Sequence, residues 1–276
     1  IEDYQKNCND CDSGKQDRLE GLRLYNLVFA KLKGDQQSKA LLQMAHLYQS
    51  TKQNAKGEQL LQSVLKNRAH YSSKMVGMAN GLVGDIYYRK AEFKKAQGYF
   101  EAAVNNKQSP ARGYATYRLA WCLLNQGQVA RAESTLVGLL NNPELLATKN
   151  LYGEEVDASF HKDASRDFAT FIAKGRVTDA KINQLMDLSP EEDRRSNLQY
   201  LGEESDRLGN REGSVLVWAR YSQENDLKPG ESLEIQVRIA LVNYGRGQKA
   251  QSLEDLRTAF KMWQEKGCKD KELCSE

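Results

Sequence analysis

Five cysteines and three histidines are the residues whose chemistry must be accounted for first. Cys8-Asn-Asp-Cys11 and Cys268-x5-Cys274 form two close pairs, and Cys122 stands alone. Two such pairs brought together would make a four-thiolate metal site, and a CxxC at a strand-to-helix junction would make a redox site. No strand-then-helix pattern surrounds Cys8. Three readings of the four outer cysteines stay open: local disulfides Cys8–Cys11 and Cys268–Cys274, reduced thiols, or metal and intermolecular pairing. Local disulfides would imply an oxidising compartment. Cys122 sits in an apolar run and reads as a small buried hydrophobe. His46, His70 and His161 are isolated, without HExxH or zinc-ligand spacing, and no GxSxG marks a nucleophile. Gly245-Arg-Gly247 lacks the preceding strand of a phosphate loop. Glu191-Glu192-Asp193 follows Pro190 and fits a helix N-terminus, where acidic groups oppose the macrodipole. The expectation is a chain that is not an enzyme, with no catalytic residue, metal or cofactor.

Composition narrows the class. The 276 residues carry 40 basic and 37 acidic side chains, a net charge of +3. So balanced a charge points to neither nucleic acid nor an anionic membrane surface. Forty per cent hydrophobic and 8% aromatic content is too apolar for a disordered chain. No apolar run nears the ~18 residues that a membrane-spanning helix needs. The first residues, Ile1 to Gly14, show no basic-then-apolar signal pattern.

Positioning elements emerge from the punctuation. The four prolines, Pro110, Pro143, Pro190 and Pro229, stand 33, 47 and 39 residues apart. Between them lie stretches rich in Leu, Ala, Gln, Lys and Glu. Proline interrupts helix interiors, so these positions read as unit boundaries, and a period in the thirties signals helical repeats. Gly84, Tyr87, Ala96, Phe100 and Ala103 stand at offsets 0, 3, 12, 16 and 19. The same offsets yield Ala45, Tyr48, Gly57, Leu61 and Val64, then Ala120, Leu123, Ala132, Leu136 and Leu139. Small residues at 0 and 12 would let two helices, A and B, approach closely. Larger residues at 3 and 16 would fill the space around that contact.

Phe168, Phe171, Gly175 and Ala180 mark a fourth unit. Leu201-Gly202, Gly209, Ser214 and Trp218 mark a fifth, and Ile239-Ala240, Gly247, Ser252 and Leu256 a sixth. A turn glycine recurs seven places after the small position in units three to six. Gly127 is suited there to positive φ. Gly77, Gly81 and Gly84 share one side of the second A helix, at a cost of ~1 kcal/mol each in propensity, which points to close helix packing or, alternatively, to close approach of a ligand backbone.

This pattern resembles the tetratricopeptide repeat (TPR) family. The match is clearest at Val83-Gly84-x-x-Tyr87…Ala96-x-x-x-Phe100-x-x-Ala103 with Pro110 following. It extends over roughly residues 35–265. The fourth unit departs most, with Asp167 and Gln184 at positions where the family carries apolar residues. The expected fold is all-α: an α-solenoid of about six helix-turn-helix repeats behind an N-terminal capping helix. The expected organisation is 1–34, tail and capping helix over 17–33; 35–150, repeats 1–3; 151–265, an insert and repeats 4–6; and 266–276, a tail. The insert, Leu145 to Phe160, reflects the 48-residue spacing between Ala120 and Phe168.

The resemblance implies that A helices line a concave groove which binds protein or peptide. Its residues would be Met78, Asp85, Tyr88 and Arg89 in unit two and Tyr114, Tyr117, Trp121 and Asn125 in unit three. His46 and Gln49 extend the strip into unit one. Tyr, Trp, Met and Arg together have the composition of a binding hot spot. The paired Lys and Asn or Arg that clamp a partner's C-terminal carboxylate in some family members are replaced by Leu42/His46 and Tyr117/Trp121. The run Tyr114 to Gly127 with Ala130-x-Ala132, and Arg166-Asp167-Phe168-Ala-Thr-Phe171 before Gly175, look like TPR proteins of bacterial envelopes, including gliding-motility and envelope-assembly components. That implies a non-catalytic scaffold in a periplasmic or envelope-associated complex. A cytoplasmic location and a module that senses peptide or glycan by changing curvature are the alternatives.

Overall fold

The computed structural model describes residues 12–147, 159–223, 227 and 229–266. Among these residues the regular structure is entirely helical, with fourteen α-helices and three 3-10 turns. The chain divides into two compact units, Ile1–Asp157 and Ala158–Glu276. In the first, α1 (Asp12–Val28) precedes three hairpins: α2 (Gly34–Ser50) with α3 (Asn54–Lys66), α4 (Ser73–Arg89) with α5 (Phe93–Asn105), and α6 (Arg112–Asn125) with α7 (Val129–Leu140). A single turn, α8 (Pro143–Leu146), follows. In the second, α9 (Ser159–Lys174) pairs with α10 (Asp179–Leu188), α11 (Arg194–Arg207) with α12 (Arg211–Tyr221), and α13 (Pro229–Gly245) with α14 (Lys249–Lys266). Helices contact mainly their neighbours in sequence, as in a repeat array. This is the all-α repeat fold that the offsets predict.

The hairpins close by one device. Five of them have three-residue connectors whose middle residue is left-handed: Lys52 (φ 59), Ala91 (φ 57), Gly127 (φ 75), Gly209 (φ 70) and Gly247 (φ 79). The next backbone N–H then donates to the carbonyl five residues back: Gln53 to Tyr48 at 2.8 Å, Glu92 to Tyr87 at 2.9 Å, Gln128 to Leu123 at 2.9 Å, Asn210 to Ser205 at 2.8 Å and Gln248 to Asn243 at 2.9 Å. Carbonyls left over at the helix end are thereby satisfied. Gly175 departs from the expected turn-glycine role, because it is not among the left-handed residues. Its connector has a fourth residue, Thr178, whose side chain caps α10 by accepting from the Lys181 backbone N–H.

The small positions are close contacts. A Cβ on Gly84 would lie 2.9 Å from Phe100, and one on Gly202 would lie 2.7 Å from Trp218, each sixteen residues further on. A Cβ on Gly77 would lie 2.7 Å from Ser109 Cβ. Phe100, Leu123, Leu136, Phe168, Phe171 and Leu185 are fully buried along the hairpin seams. Pro143 and Pro229 open α8 and α13, where the missing N–H is not needed.

Polar ties join neighbouring elements in both units. Lys90 Nζ contacts Glu58 at 2.8 Å, and the Tyr87 and Tyr99 rings stack at 5.5 Å, linking α3, α4 and α5. In the second unit Asp206 accepts from Trp218 Nε1 at 3.0 Å and from Ser214 Oγ, and lies 3.6 Å from Arg238. One carboxylate thus connects α11, α12 and α13.

The first helix differs from expectation. It begins at Asp12 and gives way to a 3-10 turn at Phe29–Lys31, short of residue 33. Leu22 and Phe29 are buried, whereas Leu19, Leu24, Leu27 and Val28 are exposed. Its contact with α2 is a narrow stripe, completed by Asn26 Nδ2 donating to Tyr48 Oη at 3.1 Å. Most of the expected apolar face therefore stays in water. Cys8, Cys11, Cys268 and Cys274 lie outside the described residues, as do 148–158 of the insert.

Candidate functional site

The A helices α2, α4 and α6 carry the candidate groove residues. Helical periodicity repeats a face every three or four residues, so Asp85, Tyr88 and Arg89 share one side of α4, and Tyr114, Tyr117, Arg118, Trp121 and Asn125 one side of α6. Tyr88, Tyr114, Tyr117 and Trp121 are half-buried, and Arg89, Asn125, His46 and Gln49 are exposed. Met78 is different: it is 3% exposed and belongs to the core. Its thioether fills space between helices and offers no surface to a partner, which corrects its placement in the groove.

Asp85 organises the strip. Its side chain is almost buried, and its two oxygens lie 3.1 Å from Arg89 Nη2 and 3.7 Å from Arg118 Nη2. The Arg118 guanidinium sits 5.0 Å from the Tyr88 ring centre and 5.2 Å from that of Tyr114, within cation–π range. Burial works against the charge on Arg118, but Tyr114, Asp85 and Tyr88 outweigh it and hold its pKa above the usual arginine value. Arg118 Nε is buried and makes no hydrogen bond. Tyr88 meets Phe93 edge-on at 5.4 Å, and Tyr114 and Tyr117 lie 6.2 Å apart. Asn125 donates to the Trp121 carbonyl at 2.8 Å, so its amide is partly committed to its own helix.

Arg118 is the residue that sequence reasoning missed. It stands four residues after Tyr114, four before Cys122 and one repeat after Asp85, and those spacings could have revealed it.

Below the strip lies Cys122, fully buried. Burial pushes its thiol up to about 12, with Asp85 adding to the shift and Arg118 opposing it. A thiol held protonated is a poor nucleophile. Among the described residues no group of three or more His, Cys, Asp or Glu side chains is placed to hold a metal. No described helix is long and apolar enough to cross a membrane. What the strip offers is flat aromatic surface, a guanidinium fixed between two rings, and an exposed arginine held by a carboxylate. Those groups recognise by stacking and hydrogen bonding.

Arginine–aromatic contacts recur in the second unit. Arg166 lies 4.3 Å from the Tyr200 ring centre, Arg195 5.6 Å from that of Tyr221, and Arg238 5.1 Å from that of Trp218. Arg195 also contacts Glu231 at 2.8 Å.

No protein-family model and no curated protein matches the chain. Among solved structures, it is similar to a Podosopora anserina chain designated a kinesin light chain of nearly identical TPR-like repeats. The identity is 15%, the TM-score 0.40, and the match covers 84% of this chain and 97% of that one. A point variant of that same protein is similar at 15% identity and a TM-score of 0.38, covering 81% of this chain and 93% of the other.

Proposed function

We propose that this chain is a TPR-like scaffold, without catalytic activity, that holds a segment of a partner protein against the strip formed by α2, α4 and α6. The observation that carries the reading is Asp85. It holds Arg89 and lies beside Arg118, whose guanidinium is framed by the half-buried rings of Tyr88 and Tyr114. A partner segment presenting a carboxylate or carbonyl beside an apolar side chain meets that arrangement. Aromatic and arginine side chains dominate binding energy where they are preorganised. We further propose a bacterial envelope complex, connected with gliding motility or envelope assembly, as the setting. That reading rests on the likeness of the run from Tyr114 to Gly127.

The test is selection of a displayed peptide library on the full chain, followed by affinity measurement against a Tyr117→Ala/Trp121→Ala double variant. The expected result is peptides whose affinity falls at least tenfold on the double variant while its melting temperature is kept. Peptides that bind both proteins equally, or a selection yielding no specific binder, would remove the assignment.

A further inference from the structure

Charge is unevenly placed along the chain. The three hairpins of the first unit, residues 34–140, carry 14 basic and 6 acidic side chains, whereas residues 159–266 carry 17 and 18. The small net charge of the whole chain therefore averages two unlike units. Within the first unit the excess gathers at the junctions that lead into each hairpin. Residues 28–39, 64–75 and 103–113 hold eight Lys and Arg and a single carboxylate, Asp35. These junctions lie side by side. Lys74 Nζ at the start of α4 contacts Asp35 at the start of α2 at 2.8 Å. Ser73 Oγ donates to Asn106 Oδ1 at 3.0 Å, and Asn106 Nδ2 donates back to the Ser73 carbonyl at 2.6 Å. One edge of the unit is thus lined by Lys31, Lys33, Lys39, Lys66, Arg68 and Lys107, all exposed and none within ion-pair distance of a described carboxylate. At the opposite end of the hairpins the lysines alternate with Glu58 and Glu92.

We propose that this edge docks on an anionic lipid surface, with its cations reaching the phosphate groups of the headgroups. The residue types favour lipid over other polyanions. Five of the six cations are lysines, compact and strongly hydrated point charges that are depleted from protein–protein interfaces. Single-stranded nucleic acid is held by rings that stack on bases as well as by cations. Of the aromatic residues in these junctions, Phe29 is buried and Tyr71 half-buried. A headgroup layer needs neither a fitted groove nor a ring. It attracts point charges presented together near its surface, each strengthening binding about fivefold. Such contact is peripheral and sensitive to salt. The edge stands apart from the strip assigned to a protein partner, since Arg89 and Asn125 close α4 and α6 at their other ends. Lipid attachment therefore leaves that strip uncovered.

Vesicle co-sedimentation of the full chain tests this, with phosphatidylcholine alone compared against phosphatidylcholine containing about one-third phosphatidylglycerol. The expected result is binding to the anionic vesicles only, released at ~1 M salt, where the Debye length falls to ~3 Å. Lys33→Glu/Arg68→Glu/Lys107→Glu, one change in each junction, weakens it at least about thirtyfold, and Arg68→Gln alone about fivefold. Lys52→Glu/Lys56→Glu/Lys94→Glu changes the net charge as much at the opposite end of the hairpins and weakens it less than about threefold. All six sites are exposed, so melting temperatures stay near that of the parent chain. No binding to the anionic vesicles, equal losses in the two triple variants, or binding abolished by polyuridine or polyglutamate at charge concentrations well below that of the lipid would overturn the proposal.

Discussion

The ring of Phe100 fills the space that a side chain on Gly84 would need: a Cβ there would come within 2.9 Å of its Cδ1 and Cε1 atoms. Phe100 is fully buried, so the ring has no free direction in which to retreat. Gly84→Ala is expected to destabilise the first unit by about 1–3 kcal/mol, despite alanine's better helix propensity, because overpacking a tight seam forces strain. Urea denaturation measures the loss. Gly84→Ala combined with Phe100→Leu should cost less than the sum of the two single changes. Strict additivity would show that the contact is not the cause.

Lys52 and Ala91 adopt the left-handed conformation that glycine takes in three other hairpins. A Cβ at that φ costs roughly 1–2 kcal/mol, partly offset by the extra freedom glycine has when unfolded. Lys52→Gly and Ala91→Gly should each raise stability by about 1 kcal/mol, seen as a higher denaturation midpoint. Gly127→Ala should lower it by a similar amount. A fall in stability on either glycine substitution would contradict the closure device.

Cys122 should resist thiol reagents in the native protein. Its thiol, pushed up to about 12 by burial, carries almost no thiolate at mildly alkaline pH. The expected outcome is no labelling of Cys122 by an aromatic disulfide reagent in buffer and complete labelling in denaturant, followed by mass mapping. Rapid native labelling at this position would refute its burial.

Asp206 is the polar centre of the second unit, and removing it leaves Trp218 Nε1 and Ser214 Oγ without their shared acceptor. Losing a hydrogen bond to a charged group costs about 1.5–3 kcal/mol. Asp206→Ala should therefore speed amide exchange in α11, α12 and α13 by well over tenfold. Asp206→Asn, which keeps one acceptor oxygen, should do less.

Acid should weaken both units through carboxylates held in ion pairs. A hydrogen bond from Lys90 keeps the Glu58 pKa below the usual carboxylate value, and one from Arg207 does the same for Glu204. A pKa depressed on folding adds stability that is complete above the unfolded value and is lost as pH falls through the folded one. Melting temperature should hold near neutrality and decline below the ordinary glutamate range. Glu204→Gln should give a shallower decline, and an unchanged acid slope would count against the pairing.

Much of the fold was legible because the packing rule is local. Ala45, Gly84, Ala120, Gly202 and Ala240 are each followed seven residues later by the left-handed turn residue, and small side chains are easy to find in sequence. Lys52 and Ala91 could not be read that way. Nothing in their side chains announces positive φ, and the surrounding helices impose it. Gly175 misled for the opposite reason: a glycine is free to be left-handed but need not be, and Thr178 supplies the cap instead. The candidate strip was partly legible. Tyr88, Tyr114, Tyr117 and Trp121 keep half-buried rings, whereas Met78 went inward, since methionine serves core and surface equally well. Arg118 escaped notice because its role depends on Asp85, one helix pair away.

Hairpin closure here rests on backbone atoms: a carbonyl, an amide five residues on, and one left-handed residue between them. The outward positions of the A helices have no part in it. Residues such as His46, Gln49 and Arg89 could then be randomised together while each pair still folds to the same connector. Under the proposed function, specificity could drift across lineages, or be reprogrammed in a library, without renegotiating the architecture that displays it.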